Sequence, residues 1–314
     1  MTLALIAMSH SPLLDYVEPP ADVKAGVEEA FAAARAFALD FDPELIINIG
    51  PDHYNGFFYD IMPPFAVGYG ATAVGDFGTH EGPLNVPAAE ADALTRSLME
   101  QGFDVTVSFA MEVDHGAVQP MGIIFGDAAA RPVIPVFINS VAPPFVPVRR
   151  IRAFGTALGE HLKTLDKRVL IIGSGGLSHE PPVPQIATAT RDVREALLGG
   201  GRHLTPEARE ARTTRVIDAA REFAASGGTS LKALAPEWDA ELMRILASGD
   251  LSPLDAWTPE EMADVAGNSS HEVRTWIAAY AALAAAGPYA VTYSFYRPIH
   301  EYIAGFGVTT ARLV

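Results

Sequence analysis

Short and almost uninterrupted apolar runs alternate along this chain with longer stretches rich in alanine, glutamate and arginine. Apolar runs of this kind predict strands that are covered on both faces of a sheet. They lie at Leu3–Met8, Glu44–Ile49, Val105–Phe109, Val133–Ile138, Arg168–Ile172 and Ala290–Tyr296. The longer stretches predict helices over Val23–Ala38, Pro87–Gln101, Arg149–Thr164, Thr190–Leu198, Pro206–Ala225, Ala240–Ala247 and Ser270–Ala286. The alternation is typical of an α/β fold, so we expect a largely parallel central sheet flanked by helices, with a helical cap in the C-terminal third.

Nothing in the sequence divides the chain. No repeat, low-complexity tract or Ser/Gly linker is visible, and we expect a single domain over residues 1–314. No apolar run approaches the roughly 20 residues that cross a bilayer, so a membrane-spanning protein is not expected. The apolar N-terminus, Met1–Met8, lacks the basic region and the small-residue cleavage site of a signal peptide. It is interpreted as a first buried strand, and the protein is expected in the cytoplasm.

Composition and charge exclude several kinds of chemistry and partner. The formal net charge of −16 argues against nucleic acid as a partner, because phosphate binding needs a basic face. An anionic substrate would have to be bound by a local positive group, since the overall field repels it. The chain has no cysteine, which excludes thiol catalysis, cysteine-ligated zinc and iron–sulfur clusters. Any metal must therefore be held by histidines and carboxylates.

Four histidines follow predicted strands. His10, His53 and His179 each come just after one of these strands, and His115 is expected in a loop soon after Val105–Phe109. The carboxyl ends of parallel strands open onto one edge of a sheet, where ligands bind. These four side chains are therefore expected to converge on one site. The remaining histidines are interpreted as structural or surface residues, namely His80, His161, His203, His300 and, at a predicted helix start, His271.

Spacing alone does not identify the carboxylate that would complete a metal site. Two imidazoles and one carboxylate on one face of an octahedron leave three positions for substrate and dioxygen. Asp52 and Asp114 adjoin histidines and are candidates either as ligands or as residues that orient the histidines. Glu272 closes the segment Ser269–Glu272, which fits a capping box at a helix start. The residues by themselves favour that structural role for Glu272.

Other catalytic motifs are absent or weak. The run Gly173–Gly176 follows a strand but matches neither a Walker loop nor the complete dinucleotide-binding fingerprint. The simpler interpretation of this glycine-rich run is a tight turn that brings His179 into the cleft. Neither a Gly-x-Ser-x-Gly elbow nor a His-Glu-x-x-His helix is present, which argues against serine hydrolases and zincin proteases.

Several short segments, taken together, resemble the class III extradiol dioxygenases of the protocatechuate 4,5-dioxygenase β-subunit type. The first of them are Ser9–Pro12, Asp52–Asn55, Gly176–His179 and Ala266–Glu272. Further similarity lies in Pro51–Asp60, Gly70–Gly78, Val113–Gly116, Arg168–Pro184 and Tyr296–Gly307. The resemblance covers essentially the whole chain. Its specificity comes from the order and spacing of the segments, because no single motif is decisive.

The resemblance implies roles that spacing could not assign. His10, His53 and Glu272 match the family's ligands to Fe(II), which replaces the capping-box interpretation of Glu272. His179 matches a proton acceptor, and His115 matches the proton donor of one branch of the family. Asp114 is a candidate to orient this acid–base chemistry.

The reaction implied by the resemblance is Fe(II)-dependent extradiol cleavage of a catechol by dioxygen. The expected substrates are 2,3-dihydroxyphenylpropionate and 2,3-dihydroxycinnamate, and Arg297 is a candidate to pair with their carboxylate. Three alternatives stay open: another catechol such as protocatechuate or dihydroxyphenylacetate, a zinc-dependent hydrolase with the same ligands, and a non-enzymatic binding protein. A homo-oligomer is expected, since symmetric assemblies are common among soluble enzymes.

Overall fold

The architecture is centred on an eight-stranded sheet, accompanied by a separate three-stranded sheet, in a computed structural model that describes residues 2–314. The strands are β1 (Thr2–Met8), β2 (Leu45–Gly50), β3 (Phe65–Gly68), β4 (Ala71–Val74), β5 (Glu81–Pro83), β6 (Thr106–Ser108), β7 (Met111–Val113), β8 (Val133–Ile138), β9 (Arg168–Ser174), β10 (Tyr289–Ile299) and β11 (Ala304–Leu313). The helices are α1 (Ala21–Phe41), α2 (Ala88–Glu100), α3 (His115–Phe125), α4 (Val148–Leu162), α5 (Arg191–Leu197), α6 (Pro206–Ala225), α7 (Pro236–Ser248), α8 (Pro259–Ala266) and α9 (Val273–Ala286).

The centre of the large sheet is parallel and its outer parts are mixed. The strand order is β10-β11-β1-β9-β2-β8-β3-β6. Strands β1, β9, β2 and β8 pair in parallel, whereas β11 and β3 join this group antiparallel on either side. The predicted α/β fold with a parallel central sheet is confirmed. The carboxyl ends of β1, β2 and β9 consequently lie at the same edge.

Alternate residues of the central strands face two different helical layers. In β1, Leu3 and Leu5 belong to the core cluster that contains α4 and α9. Ala4 and Ile6 belong to the cluster that contains α1 and α3. Because both faces are covered by helices, nearly every position of such a strand is apolar, and the buried exception in β2, Asn48, donates a hydrogen bond to the carbonyl oxygen of Ala117. This is the physical origin of the uninterrupted apolar runs in the sequence.

Helices α4 and α9 approach so closely that glycine is required between them. A Cβ atom built on Gly155 would lie 2.2 Å from the carbonyl oxygen of Ala278, and one on Gly159 would lie 2.1 Å from that of Ala282. Both distances are far inside van der Waals contact. The two glycines of α4 therefore set the separation of α9 from its neighbour, and α9 in turn follows directly on Glu272.

Replacing Gly159 with alanine is expected to lower the free energy of unfolding by about 1–3 kcal/mol, because the added methyl group must push two packed helices apart. Urea-induced unfolding followed by circular dichroism measures this change. Gly122→Ala in α3 is the matched control, since a Cβ there meets nothing within 4 Å. It should be neutral or slightly stabilising. Equal effects of the two substitutions would contradict the close-packing account.

Some elements differ from the sequence expectation. The strand predicted at Val105–Phe109 is limited to Thr106–Ser108 and lies at the sheet edge. The helix predicted from Ser270 begins at Val273, after a 3-10 turn over Asn268–Glu272. His115 is not in a loop, because it is the first residue of α3. Elements that the pattern did not predict are β3, β4, β5, β7, β11, α3 and α8.

The helical cap in the C-terminal third is confirmed in the helices α5 to α8. Among the described residues, no helix is both long enough and apolar enough to cross a membrane.

Candidate active site

Histidines from separate parts of the sequence meet at the edge where the parallel strands end. His10 lies beyond β1, His53 beyond β2 and His179 beyond β9, while His115 begins α3. These four side chains and Glu272 line one cavity of about 430 Å³. The structure therefore brings the four histidines together, as the sequence predicted, and places a buried carboxylate at their centre.

Glu272 is the carboxylate around which the imidazoles are arranged. Its Oε1 atom lies 3.1 Å from Nε2 of His53 and 3.2 Å from Nε2 of His179, and its Oε2 atom lies 3.4 Å from Nε2 of His10. The backbone N–H of Gly176 donates to Oε2 at 2.8 Å. The residue is 1% exposed. Burial favours its neutral form, but His179 and His10 hold its pKa well below the usual range.

The capping-box interpretation of Glu272 is wrong. Its side chain makes no capping hydrogen bond to α9, of which it is the N-cap residue. The 3-10 turn before α9 instead directs the carboxylate inward, toward the histidines.

A hydroxyl relay fixes the tautomer of His10. Its Nδ1 atom lies 3.0 Å from Oγ of Ser174, and that hydroxyl donates its only proton to the carbonyl oxygen of Gly116 at 2.5 Å. Ser174 must therefore accept from Nδ1–H, which leaves a lone pair on Nε2 facing Glu272. Burial lowers the pKa of His10 to about 3, so the ring is neutral.

His53 is oriented by Asp114. Oδ2 of Asp114 accepts from the backbone N–H of His53 at 2.7 Å and lies 3.1 Å from its Nδ1 atom. This pairing leaves Nε2 of His53 toward Glu272. Burial lowers the pKa of His53, but Asp114 and Glu272 together raise it well above its usual value. Asp114 was expected to orient the acid–base chemistry. It lies within 4.8 Å of His115, but its hydrogen bonds are to His53, a candidate ligand that it orients.

Asp52 has a different role from the one left open by the sequence. Its carboxylate accepts from the backbone N–H groups of Asn55, Gly56 and Phe57 at 2.9–3.1 Å. Burial, followed by the nearby charge of Asp114, raises its pKa to about 7. These hydrogen bonds shape the loop after β2.

His115 is held by Asp76, a residue that sequence reasoning did not single out. Oδ2 of Asp76 lies 2.5 Å from Nδ1 of His115, and its Oδ1 accepts the backbone N–H of His115 at 2.8 Å. The ring of His115 stacks on that of His53, with centroids 4.5 Å apart. Asp76 lies within Gly70–Gly78, a segment of family similarity, and this was the only sequence signal for it.

His179 also has a fixed orientation. Its Nδ1–H donates to the carbonyl oxygen of Leu177 at 2.8 Å, so Nε2 carries the lone pair that faces the cavity. The preceding turn is tight, because a Cβ on Gly176 would lie 2.7 Å from the imidazole ring. This fits the interpretation of Gly173–Gly176 as a turn that presents His179. Burial lowers the pKa of His179, but Glu272 more than offsets it and the net shift is upward.

The donor set fits a divalent transition metal. Ligand nitrogens of His10, His53 and His115 lie within 4.8 Å of one another, and the oxygens of Glu272 lie beside two of them. The imidazoles of His10 and His53 direct their Nε2 atoms toward a buried carboxylate, while Ser174 and Asp114 hold their Nδ1 atoms, and metal-ligating histidines are held by outer hydrogen bonds of this kind. Imidazole and carboxylate together suit iron and zinc, among other metals.

The other histidines lie outside this cluster. His271 was expected to face solvent but is buried, with its ring 4.1 Å from that of Phe145. His80 pairs with Asp127, and His300 packs on Phe223. His161 is half-buried in α4, and the side chain of His203 lies outside the described part of the chain.

Arg297 does not reach the cavity. It is exposed on β10, and it is not among the residues that line the cavity. Strand β10 is the outermost strand of the sheet, far along the strand order from β2. Two other arginines, Arg212 and Arg215 of α6, line the cavity instead. The expectation that Arg297 binds a substrate carboxylate is therefore corrected.

Comparison with known proteins decides the family. The model of the catalytic LigB subunit of aromatic ring-opening dioxygenases matches residues 4–307. The chain belongs to the LigB family. A relative from Rhodococcus globerulus is 58% identical over 313 residues, covering 100% of this chain and 99% of the relative. A relative from Mycolicibacterium gilvum is 54% identical and covers 98% of each chain. Both relatives are named 2,3-dihydroxyphenylpropionate/2,3-dihydroxicinnamic acid 1,2-dioxygenases.

Membership of the LigB family confirms the resemblance drawn from the sequence. The chain is a ring-cleaving dioxygenase with a small-molecule substrate, and dioxygenases of this family depend on a metal. The non-enzymatic alternative is thereby excluded. The individual roles of the histidines, of Glu272 and of the arginines stay predictions.

Asp114→Asn is expected to weaken metal binding by about 10–100-fold, because the substitution removes the carboxylate that orients His53. Titration of the metal-free protein with a divalent metal, followed by calorimetry, measures the change. Asp104→Asn, at an exposed position before β6, is the matched control. Unchanged affinity in Asp114→Asn would mean that His53 is not a ligand or is oriented by other contacts.

Proposed function

We propose that this LigB dioxygenase opens the ring of 2,3-dihydroxyphenylpropionate, and of 2,3-dihydroxycinnamate, with Fe(II) and dioxygen. The observation that carries the proposal is the buried cluster of His10, His53 and Glu272 on an apolar cavity that also presents two further histidines. The relatives at 51–58% identity over nearly their whole length support the choice of substrate.

In this proposal His10, His53 and Glu272 hold the iron. His115 is also close enough to contribute a nitrogen, but three protein ligands on one face leave room for both catechol oxygens and dioxygen. When bound, Fe(II) would act as a Lewis acid for the catechol oxygens and would pass electrons from the catechol, which is the net reductant, to dioxygen. The protein supplies the fixed lone pairs, because Ser174 and Asp114 hold the ring nitrogens that face away from the centre.

His179 is the proposed proton acceptor. Its Nδ1–H is committed to the carbonyl oxygen of Leu177, so only Nε2 can take a proton from a catechol hydroxyl in the cavity. The negative charge of Glu272, 3.2 Å away, stabilises the imidazolium that results. A positioned base of this kind contributes about 10²–10⁴-fold to the rate.

His115 is the proposed proton donor. The carboxylate of Asp76 accepts its Nδ1–H, so Nε2 is the nitrogen from which a proton can be released into the cavity. The stacked ring of His53 keeps His115 close to the proposed metal ligands. Acid and base are thus carried by separate imidazoles, each with its own fixed hydrogen-bond partner.

We further propose that residues 1–314 form one catalytic domain that works as a cytoplasmic homo-oligomer. Strand β1, near the N-terminus, pairs with β11, near the C-terminus, so both ends of the chain share one sheet. The absence of cysteine means that the fold needs no oxidising compartment. Light scattering coupled to size-exclusion chromatography determines the number of subunits.

A substrate panel tests the proposed specificity. We expect kcat/KM for 2,3-dihydroxyphenylpropionate, measured by oxygen uptake on the Fe(II)-loaded enzyme, to exceed the values for protocatechuate and for dihydroxyphenylacetate. A higher value for either of the other two acids would overturn the proposed substrate while leaving the reaction class in place.

A further inference from the structure

Helix α6 brings two positive charges to the wall of the active-site cavity. Arg212 and Arg215 both line the cavity, among alanines and a valine of the same helix. Residues three positions apart lie on the same face of a helix. The carboxylates that line the cavity are Glu272, within the histidine cluster, and Asp192, which is at an exposed position. The cavity therefore has a local positive spot in a protein whose formal net charge is −16.

Arg212 is anchored beside the histidine cluster. Its guanidinium donates to the backbone carbonyl oxygen of His53, and it lies 3.5 Å from that of Tyr54. These contacts use some of the five N–H donors of the guanidinium and hold the planar group in place. No carboxylate pairs with it among residues 2–314. A half-buried guanidinium with spare donors is prepared to bind an anion that enters the cavity.

Arg215 is the more exposed of the two. Within the described part of the chain it makes neither an ion pair nor a hydrogen bond to protein. It lines both the cavity and an outer surface depression, the latter together with the carboxylates of Glu207, Glu210, Asp218 and Glu222. By contrast, Arg202, which comes before α6, is paired with Asp60. Arg215 is thus a cation at the cavity that is in direct contact with no carboxylate of the described chain, whereas Arg202 already forms an ion pair with Asp60.

We infer that Arg212 and Arg215 bind the side-chain carboxylate of the catechol substrate, and that they select acidic catechols over uncharged ones. The inference rests on the proposed function, in which the histidine cluster binds the catechol ring. Arg212 lies beside His53, so a carboxylate on a short side chain of the ring comes within its reach. A guanidinium can hold a carboxylate through two parallel hydrogen bonds. The remaining cavity wall is mainly apolar and suits the ring and its alkyl chain.

The test compares two substrates that differ only at the end of the side chain, where one has a carboxylate and the other a methyl group. The Fe(II)-loaded wild type, Arg212→Gln and Arg215→Gln are each assayed with 2,3-dihydroxyphenylpropionate and with 3-propylcatechol. We expect the ratio of the two kcat/KM values to fall by about 10–100-fold in each variant, through a higher KM for the acid. Arg221→Gln removes the same charge from an exposed part of α6, where Arg221 pairs with Asp218, and should keep the wild-type ratio.

The outcomes separate this inference from the proposed function. A wild type that favours the acid, with variants that favour it equally, overturns the inference and leaves the function standing. A wild type that does not favour the acid overturns the proposed substrate itself. Metal analysis of each preparation shows whether Arg212→Gln has lost metal. Because Arg215 makes no contact with His53, Arg215→Gln still tests whether the arginines bind the carboxylate in that case.

Discussion

Replacing Glu272 with glutamine is expected to leave the protein folded but nearly free of metal, and to slow ring opening by about 10³-fold or more. The carboxylate touches three imidazoles and is fixed by the N–H of Gly176. Glutamine has almost the same shape but carries no charge, so the substitution removes the anionic ligand without opening a void. Metal analysis after desalting and oxygen uptake with the catechol measure the two effects.

Glu260→Gln, at an exposed position in the first turn of α8, is the control for removing a glutamate charge. It should retain metal and activity. If Glu272→Gln bound metal as tightly as the wild type, Glu272 would not be a ligand, and the three histidines His10, His53 and His115 would become the alternative set.

Replacing His179 with glutamine is expected to lower kcat by about 10²–10⁴-fold while metal content stays at the wild-type level. The proposed base accepts a proton at Nε2, and the amide of glutamine cannot do so near neutral pH. Because the base acts in its neutral form, wild-type kcat should fall as the pH falls through the pKa of His179. That acidic limb should disappear in the variant. Oxygen uptake measured across a pH series tests both statements.

His161→Gln provides the matched control, since His161 is half-buried in α4 and lies outside the cavity. Its pH profile should be that of the wild type. A His179→Gln enzyme with normal kcat and an unchanged acidic limb would show that another group accepts the proton, and His115 would be the next candidate.

The parallel centre of the fold could be predicted because strands that are buried on both faces are visible in the sequence as apolar runs. Each of β1, β2, β8 and β9 is predominantly apolar, with few polar residues, such as Asn48 in β2. Strands β3, β4, β5 and β7 have only three or four residues, too few for a pattern. Helix α3 was missed because it is apolar on most sides and contains Pro120, so it lacks the periodicity of a surface helix.

The candidate site could be predicted in part from residues that follow strands. That placement identified His10, His53, His115 and His179, and adjacency to His115 identified Asp114, but no local signal identified Asp76 or Ser174 as partners. Asp76 is 39 positions from His115, and Ser174 is 164 positions from His10, so these contacts exist only in the folded chain. Arg297 was chosen for its neighbours in sequence, whereas the arginines at the cavity are in a helix that sequence reasoning treated only as a cap.

The central claim is that this site uses dioxygen and iron to open a catechol ring. Its most direct test is to load the metal-free protein anaerobically with Fe(II) or with Zn(II), add 2,3-dihydroxyphenylpropionate and then air, and follow oxygen uptake together with the yellow ring-opened product. The account predicts equimolar oxygen uptake and product with Fe(II), and neither with Zn(II). Ring-opened product without oxygen uptake would contradict the use of dioxygen, and equal turnover with Zn(II) would contradict the use of iron.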